Sequence, residues 1–323
     1  MHPEEHRTDN PLIAIVGPTA VGKTDLVLRI SSLLDAEIVS VDSMQVYRYM
    51  DIGTAKPTRE EQQIVKHHLV DIVDPDDEYN VQRFVSDAGE ASQKIIAEGK
   101  LPLLTGGTGL YLKAFENGLF DIPDQVAQGK SDQEPIRKKL LGELADEEGR
   151  ARLHNYLEQI DPLSAARIHR NDRSRMARAI EIFESTGITW SEHLTRQHNN
   201  PSQGRRNTLK IGLATDREKL YERINKRAKA MIESGLIEEV EGLLAKGYSA
   251  DLKSMQSIGY KHVTEYLVGA WNLDETVENL ARDTRHYAKR QFTWFNRDHE
   301  IKWFSPVQSD EILTTITKFI EQQ

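Results

Sequence analysis

Short, continuous apolar runs punctuate the first third of the chain, separated by polar stretches of helical spacing. Leu12–Val16 (LIAIV) is rich in β-branched residues and has no polar alternation, which predicts a strand buried on both faces. A glycine-bearing turn follows, and the spacing then predicts a helix over Lys23–Leu34. Glu37–Val41 (EIVSV), stopped at Asp42, and Lys100–Thr105 (KLPLLT), broken by Gly106-Gly107, predict two more buried strands. Between them, Val81–Glu98 places Phe84, Ala88, Ala91 and Ile95 on one helix face. Strands alternating with helices predict an α/β fold with a parallel sheet covered on both sides. From Glu116 to Gln203 no strand-like run occurs, only helical stretches separated by Gly, Pro and Asn. Asn199–Gly204 (NNPSQG) reads as the exit loop, Leu209–Ala214 as a returning strand, and helices fill the remainder. The expected organisation is an α/β core of residues 11–115 and 204–323 interrupted by an all-helical insertion of residues 116–203.

Composition narrows the chemistry. The 323 residues include no cysteine, which excludes disulfides, thiol catalysis and Cys-ligated metals. Histidines number 11, among them His67-His68, but none has an HExxH-like ligand spacing. No apolar run reaches membrane-spanning length, and the start, MHPEEHRTDN, has no apolar core, so a cytoplasmic protein is expected. The net charge of −9 excludes an evenly basic coat. Three segments nevertheless gather cations. Ser164–Arg178 holds Arg167, Arg170, Arg173, Arg175 and Arg178 against the single acid Asp172, too many to be mostly self-paired. On the helix predicted from Lys219 to Ile232, Leu220, Ile224, Ala228 and Met231 form an apolar stripe bordered by Arg223 and Arg227. These two either snorkel over the core edge or reach into a cleft as phosphate ligands. Arg282, Arg285, His286 and Lys289 share one side of a third helix. Arginine-rich helices in an acidic chain suit a nucleic-acid backbone or another polyanion.

The turn after the first strand is Gly17-Pro18-Thr19-Ala20-Val21-Gly22-Lys23-Thr24, which fits the P-loop spacing GxxxxGK[ST]. Its glycines let successive N–H groups turn inward around phosphate oxygens, and the following helix adds its positive end. Lys23 neutralises a terminal phosphate in such a loop and the Thr24 hydroxyl holds Mg²⁺. The fold class expected is therefore a P-loop NTPase-like sheet. Most P-loops also use an acid after a later strand, but Leu103-Leu104-Thr105-Gly106-Gly107-Thr108 has none. The acid is Asp42, after the second strand, and ligands gather at the carboxyl ends of strands in such sheets. Asp42, Thr108 and Lys23 are thus expected over one crevice. Asp42 reads equally as a general base or as the N-cap of a helix after the strand.

Taken together, these stretches resemble the bacterial tRNA dimethylallyltransferase family from about Leu12 to Trp303. The most specific run is Ser40–Pro57 (SVDSMQVYRYMDIGTAKP), with Val70–Pro75 (VDIVDP), Gly106–Ala114 (GGTGLYLKA), Asp161–Arg178 (DPLSAARIHRNDRSRMAR), Ser257–Tyr260 (SIGY) and Lys289–Trp294 (KRQFTW). The resemblance implies transfer of a dimethylallyl group from dimethylallyl diphosphate to N6 of the adenosine 3′ of the tRNA anticodon. Asp42 then matches the general base, Thr108 a residue meeting the target nucleotide, and Gly17–Thr24 the diphosphate grip with Mg²⁺. Arg227 and Arg223 match the diphosphate side of a channel into which the adenine is flipped. Ser43, Met44 and Gln45 match positions on the flipped nucleotide. Ser174, Arg175, Met176, Ala177 and Arg178, then Gln256, Ser257, Ile258, Gly259, Tyr260 and Lys261, match tRNA-contact segments, as does Arg137; Arg167 and Arg170 join them as cations of the same insert. That insert is expected to hold the anticodon stem-loop. Where many relatives read NDP and GYR, this chain has Asn171-Asp172-Arg173 and Gly259-Tyr260-Lys261. A monomer that binds neither DNA nor membrane is expected.

Other readings share the P-loop. A small-molecule kinase would use Asp42 on a substrate hydroxyl, but SVDSMQVYR and GGTGLY speak against it. A prenyltransferase of free adenine nucleotides would need no arginine-bearing insert. A non-catalytic RNA-binding protein would bind tRNA and convert nothing.

Overall fold

Buried β-branched runs with no polar alternation leave a strand only one environment, a sheet covered on both faces. The computed structural model, which describes residues 11–118, 134–199 and 206–322, shows that arrangement. By contact density it divides into a unit of Met1–Asn117 with Arg206–Gln323 and a second of Gly118–Arg205. The polar start and most of the expected exit loop, residues 200–204, lie outside the described residues.

In the first unit, β1 (Leu12–Val16), β2 (Ala36–Val41), β3 (His67–His68), β4 (Leu101–Gly106), β5 (Thr208–Leu213) and β6 (Lys302–Phe304) form one sheet in the order β3-β2-β4-β1-β5-β6. All neighbours are parallel, with Ile13 opposite Leu103 and Leu209 in the central register. Period-2 alternation splits the apolar side chains between the two faces. Ala14, Val16, Val39, Val41 and Leu104 face a core built with α3 (Val81–Ala97) and α4 (Gly109–Asn117). Ile13, Ile15, Ile38, Leu103 and Ile211 face α1 (Lys23–Leu34). Ile13, Ile15 and Ile38 are fully buried, each contributing about 1.5–3 kcal/mol. A short α2 (Arg59–Ile64), capped by Thr58 and Glu61 in a capping box, precedes β3.

Edge strands β3 and β6 are departures from the sequence reading, which has no strand between Glu37–Val41 and Lys100–Thr105 and only helices after the returning strand. At two and three residues they are too short to carry a periodicity. β3 pairs with β2 through the backbone, Ile38 opposite His67 and Val39 opposite His68, and a buried carboxylate ties the two together. Glu37, with a side chain 5% exposed, meets Lys100 Nζ at 2.6 Å, His68 Nε2 at 2.6 Å and Lys66 Nζ at 3.1 Å. Burial alone would raise its carboxyl, but the hydrogen bonds from Lys100, His68 and Lys66 hold it down at about 2. Glu37→Gln is therefore expected to cost roughly 3 kcal/mol in denaturant melts at pH 7. A depressed carboxyl stabilises only above its unfolded value, so the difference from wild type should shrink between pH 4.5 and about 2.

The remaining helices of this unit are α10 (Arg217–Glu233), α11 (Leu236–Ala245), α12 (Tyr260–Leu267), α13 (Leu273–Phe295) and α14 (Ser309–Glu321). The second unit consists, among the described residues, of α5 (Glu134–Glu143), α6 (Glu147–Ile160), α7 (Pro162–Arg167), α8 (Arg173–Thr186) and α9 (Trp190–Asn199). Leu144, Leu157, Met176, Ala177 and Ile180 are buried in its own core. Buried Asp161 caps α7 through the Ser164 N–H at 3.0 Å and takes the Ser191 N–H at 3.0 Å. No described helix of either unit is long and apolar enough to cross a membrane.

Candidate functional site

Because every strand is parallel, the loops leaving β1, β2 and β4 emerge along one edge of the sheet. β1 runs into the Gly17–Gly22 loop and that loop into α1, whose N-cap Gly22 has no side chain satisfying it. The first-turn N–H groups are thus left for an anion. Lys23 Nζ folds over the loop, donating to the Gly17 and Pro18 carbonyls at 2.9 Å each. Burial pushes its ammonium down to about 8, against the pull of Asp42. Thr24 and Asp25 follow on the same cavity wall.

β2 ends at Asp42, and no helix follows: the chain turns instead. Asp42 Oδ1 accepts the Met44 N–H at 2.8 Å and the Gln45 N–H at 3.3 Å. The carboxylate is nonetheless part of the cavity wall, and burial raises its carboxyl, opposed by the Met44 and Gln45 N–H groups and by the charges of Lys23 and Arg227. The helix N-cap reading of Asp42 fails, because no helix follows β2; Oδ1 closes a turn instead, and the residue lines the cavity. At the end of β4, Gly106 lies opposite Val41, and a Cβ there would strike the Val41 carbonyl, so only glycine lets the two strand ends close up. Thr108 stands behind this turn, its Oγ1 accepting the Ser43 N–H at 3.2 Å.

Two adjoining cavities share Thr19, Asp42, Thr54, Ala55, Arg227 and Tyr287. The larger, about 460 Å³, opens onto Lys23, Thr24 and Arg223. The smaller, about 200 Å³, is lined by Ser43, Met44, Gly53, Met231, Ser257 and Ile258 among others. Both α10 arginines line the larger cavity and turn toward the Gly17–Gly22 loop. Arg227 Nη2 donates to Thr19 Oγ1 at 2.6 Å and Arg223 Nη1 to the Val21 carbonyl at 3.2 Å. Burial lowers the Arg227 guanidinium, and nearby Asp42 opposes that shift.

Sequence reasoning assigned no role to α13's inner face. Leu280, Thr284, Tyr287 and Gln291 fall within about 60° of one another at 100° per residue, and all line one or the other cavity. Gln291 accepts the Thr19 N–H at 2.8 Å and donates to the Gly107 carbonyl at 3.1 Å, tying the phosphate loop to the β4 turn. The signal was available: Gln291 lies in KRQFTW, and Tyr287 one turn before it. The basic stripe noted on this helix points elsewhere. Arg282, Arg285, His286 and Lys289 centre on the opposite side, where Arg282 meets Asp283 and Arg285 meets Asn225.

Other positions fall into separate groups. Gln256 is exposed and Lys261 half-buried, pairing with Asp283 at 3.2 Å, whereas Tyr260 is fully buried. In the helical unit Arg137, Arg167, Arg170, Ser174 and Arg175 are exposed, and Arg178 pairs with Glu181 at 2.9 Å. Met176 and Ala177 lie in that unit's core, so their side chains serve packing and the exposed face of the segment is Ser174 and Arg175. No described group of three or more His, Asp or Glu residues is disposed to hold a metal.

The IPP transferase family profile matches residues 45–298. A tRNA dimethylallyltransferase 2 of Geotalea uraniireducens is 48% identical over 309 residues, 96% of each chain. The solved tRNA isopentenylpyrophosphate transferase of Bacillus halodurans is 38% identical with a TM-score of 0.68, covering 97% of both chains. A eukaryotic dimethylallyltransferase, solved acting on tRNA, superimposes with a TM-score of 0.82 at 27% identity, covering 97% of this chain and 80% of that one.

Proposed function

We propose, from the premise that this chain belongs to the IPP transferase family of tRNA dimethylallyltransferases and is a prenyltransferase acting on tRNA, a division of labour between its two adjoining cavities. The observation that carries it is the shared wall. Asp42 and Arg227 line both the cavity bearing the phosphate loop and the smaller one beside Ser43 and Met44. Dimethylallyl diphosphate enters the first with its diphosphate on the Gly17–Thr24 amides, Lys23, Arg223 and Arg227. The adenine of the nucleotide 3′ of the anticodon, flipped out of its stack, enters the second.

Asp42 accepts a proton from the exocyclic N6, whose lone pair is otherwise delocalised into the ring. N6 forms its bond to the allylic carbon as the C–O bond to diphosphate breaks, and the electron pair leaves with the diphosphate. Lys23 and the arginines stabilise the charge that develops on it. Mg²⁺ fits this site as a partner of the substrate rather than of a protein cage. Thr24 lines the phosphate cavity beside Asp25 and would offer its hydroxyl, and a Mg²⁺ ion commonly binds through few protein oxygens plus substrate phosphates. When bound it neutralises diphosphate charge. Ser174, Arg175 and the exposed Arg137, Arg167 and Arg170 of the helical unit take the anticodon stem-loop backbone, with Gln256 and Lys261 adding contacts from the α/β unit. The enzyme works in this reading as a cytoplasmic monomer.

The test is prenyl transfer from labelled dimethylallyl diphosphate, with Mg²⁺, to a short anticodon stem-loop RNA, with AMP as the alternative acceptor. Label should reach the RNA and disappear when the target adenosine is replaced; label on AMP alone would overturn the tRNA assignment. In the same assay kcat/KM for the donor should fall above about pH 8, because Lys23 must be protonated to bind diphosphate and its ammonium is pushed down to about 8. That basic limb should vanish in Lys23→Met.

A further inference from the structure

Glu239, on α11, touches neither cavity, yet its carboxylate is the most heavily engaged acceptor beside them. Oε2 takes the Asp51 N–H at 3.1 Å and the Ile52 N–H at 2.8 Å, while Oε1 takes the Gly53 N–H at 3.3 Å and the Tyr260 hydroxyl at 2.6 Å. Three successive backbone N–H groups converging on one anion form a nest. Here the anion is the protein's own. The turn so held continues into Thr54 and Ala55, which line both cavities.

The clamp is built from both sides. The Tyr260 ring lies against Gly53 so closely that any Cβ at residue 53 would overlap it. Tyr260 is itself fully buried and follows Ser257 and Ile258, which line the smaller cavity. Behind the turn, buried Lys56 meets Asp51 at 2.6 Å and Asp71 at 2.5 Å and donates to the Tyr47 carbonyl at 2.8 Å. Ala55 sits between, at a φ of 48°, a left-handed backbone a non-glycine residue adopts only when its surroundings enforce it. From Ala55 the connection runs on to the base. The Ala55 carbonyl accepts Gln45 Nε2 at 3.2 Å, and the Gln45 N–H is one of the two donors on Asp42 Oδ1.

We propose that Glu239 is a positioning residue for the acceptor side of the site. Seated on the Asp51–Gly53 amides and the Tyr260 hydroxyl, it fixes the Thr54–Ala55 wall and, through Gln45, the orientation of Asp42 toward the incoming adenine. This rests on the prenyl-transfer reading above. The Thr54–Ala55 wall borders both cavities, but none of the four donors belongs to the Gly17–Thr24 loop, Arg223 or Arg227, so the diphosphate grip itself is left intact.

The experiment compares wild type, Glu239→Gln, Tyr260→Phe and the double variant in prenyl transfer to the stem-loop RNA. Inorganic diphosphate affinity is measured by calorimetry and rates are expressed per folded molecule. Glu239→Gln, which sets an amide N–H₂ against backbone N–H groups, should lower kcat about ten- to a hundredfold. Diphosphate affinity should stay within twofold. Tyr260→Phe removes one of four donors and should lower kcat a few fold, with the double variant losing less than the product of the two. A kcat within twofold of wild type in folded Glu239→Gln overturns the proposal, as does a parallel loss of diphosphate affinity. If Glu239→Gln does not fold, Tyr260→Phe decides by the same two readouts. Absence of transfer by wild type would instead overturn the underlying reading of the reaction.

Discussion

Asp42→Asn is expected to lower single-turnover prenyl transfer by about 10²–10⁴-fold, the usual contribution of a positioned general base. Asparagine is the informative replacement because its amide oxygen can still accept the Met44 and Gln45 N–H groups that Oδ1 holds at 2.8 and 3.3 Å. The turn survives and only the proton acceptor is lost. Stem-loop RNA affinity, measured by filter binding, should therefore remain within a few fold. The wild-type rate should show an acid limb above the ordinary aspartate value of 3.8, since burial raises this carboxyl. The sign follows from the role: the base works deprotonated, so the rate falls as pH drops through its raised value. An undiminished rate in Asp42→Asn would remove Asp42 from the chemistry and leave it as a turn residue.

Arg227→Gln should cost on the order of 10²–10³ in the same rate, comparable to losing a donor aimed at charge that develops in a transition state. Arg227 is placed for that task by its 2.6 Å bond to Thr19 Oγ1 and by its place in the walls of both cavities. Arg227→Lys keeps the charge without the planar fork and should recover only part of the rate. The decisive comparison is with donor affinity. A rate loss larger than the affinity loss assigns the guanidinium to the departing diphosphate, whereas loss of affinity alone would make it a ground-state anchor.

The central strands and the phosphate loop were legible in the sequence because each is a local pattern: a buried run, then a fixed spacing of glycines with Lys23 and Thr24. β3 and β6 were not, because short edge strands owe their place to partners far along the chain, such as Glu37 holding His68. The arginines of α10 illustrate the intermediate case. Helical spacing put Arg223 and Arg227 on the stripe's border, but only the packed loop at Thr19 and Val21 shows which way they turn. Tyr287 and Gln291 escaped for a related reason. Their helix announces itself by its cations, while the side that lines the site is an ordinary mixture of Leu280, Thr284, Tyr287 and Gln291. Tyr260 and Met176 show the converse, since membership in a matching run says nothing about whether a side chain faces outward or into a core.

The bridge made by Gln291 has a consequence for the order of events during synthesis. It joins Thr19 and Gly107 through a residue 272 positions beyond the first of them. Loop and turn emerge from the ribosome early, yet the side chain that joins them arrives only when the chain is nearly complete. A nascent or truncated chain ending before α13 therefore carries every residue of the phosphate motif without the cross-brace between them. A partial translation product of this protein should thus grip diphosphate poorly, although nothing in its phosphate motif has changed.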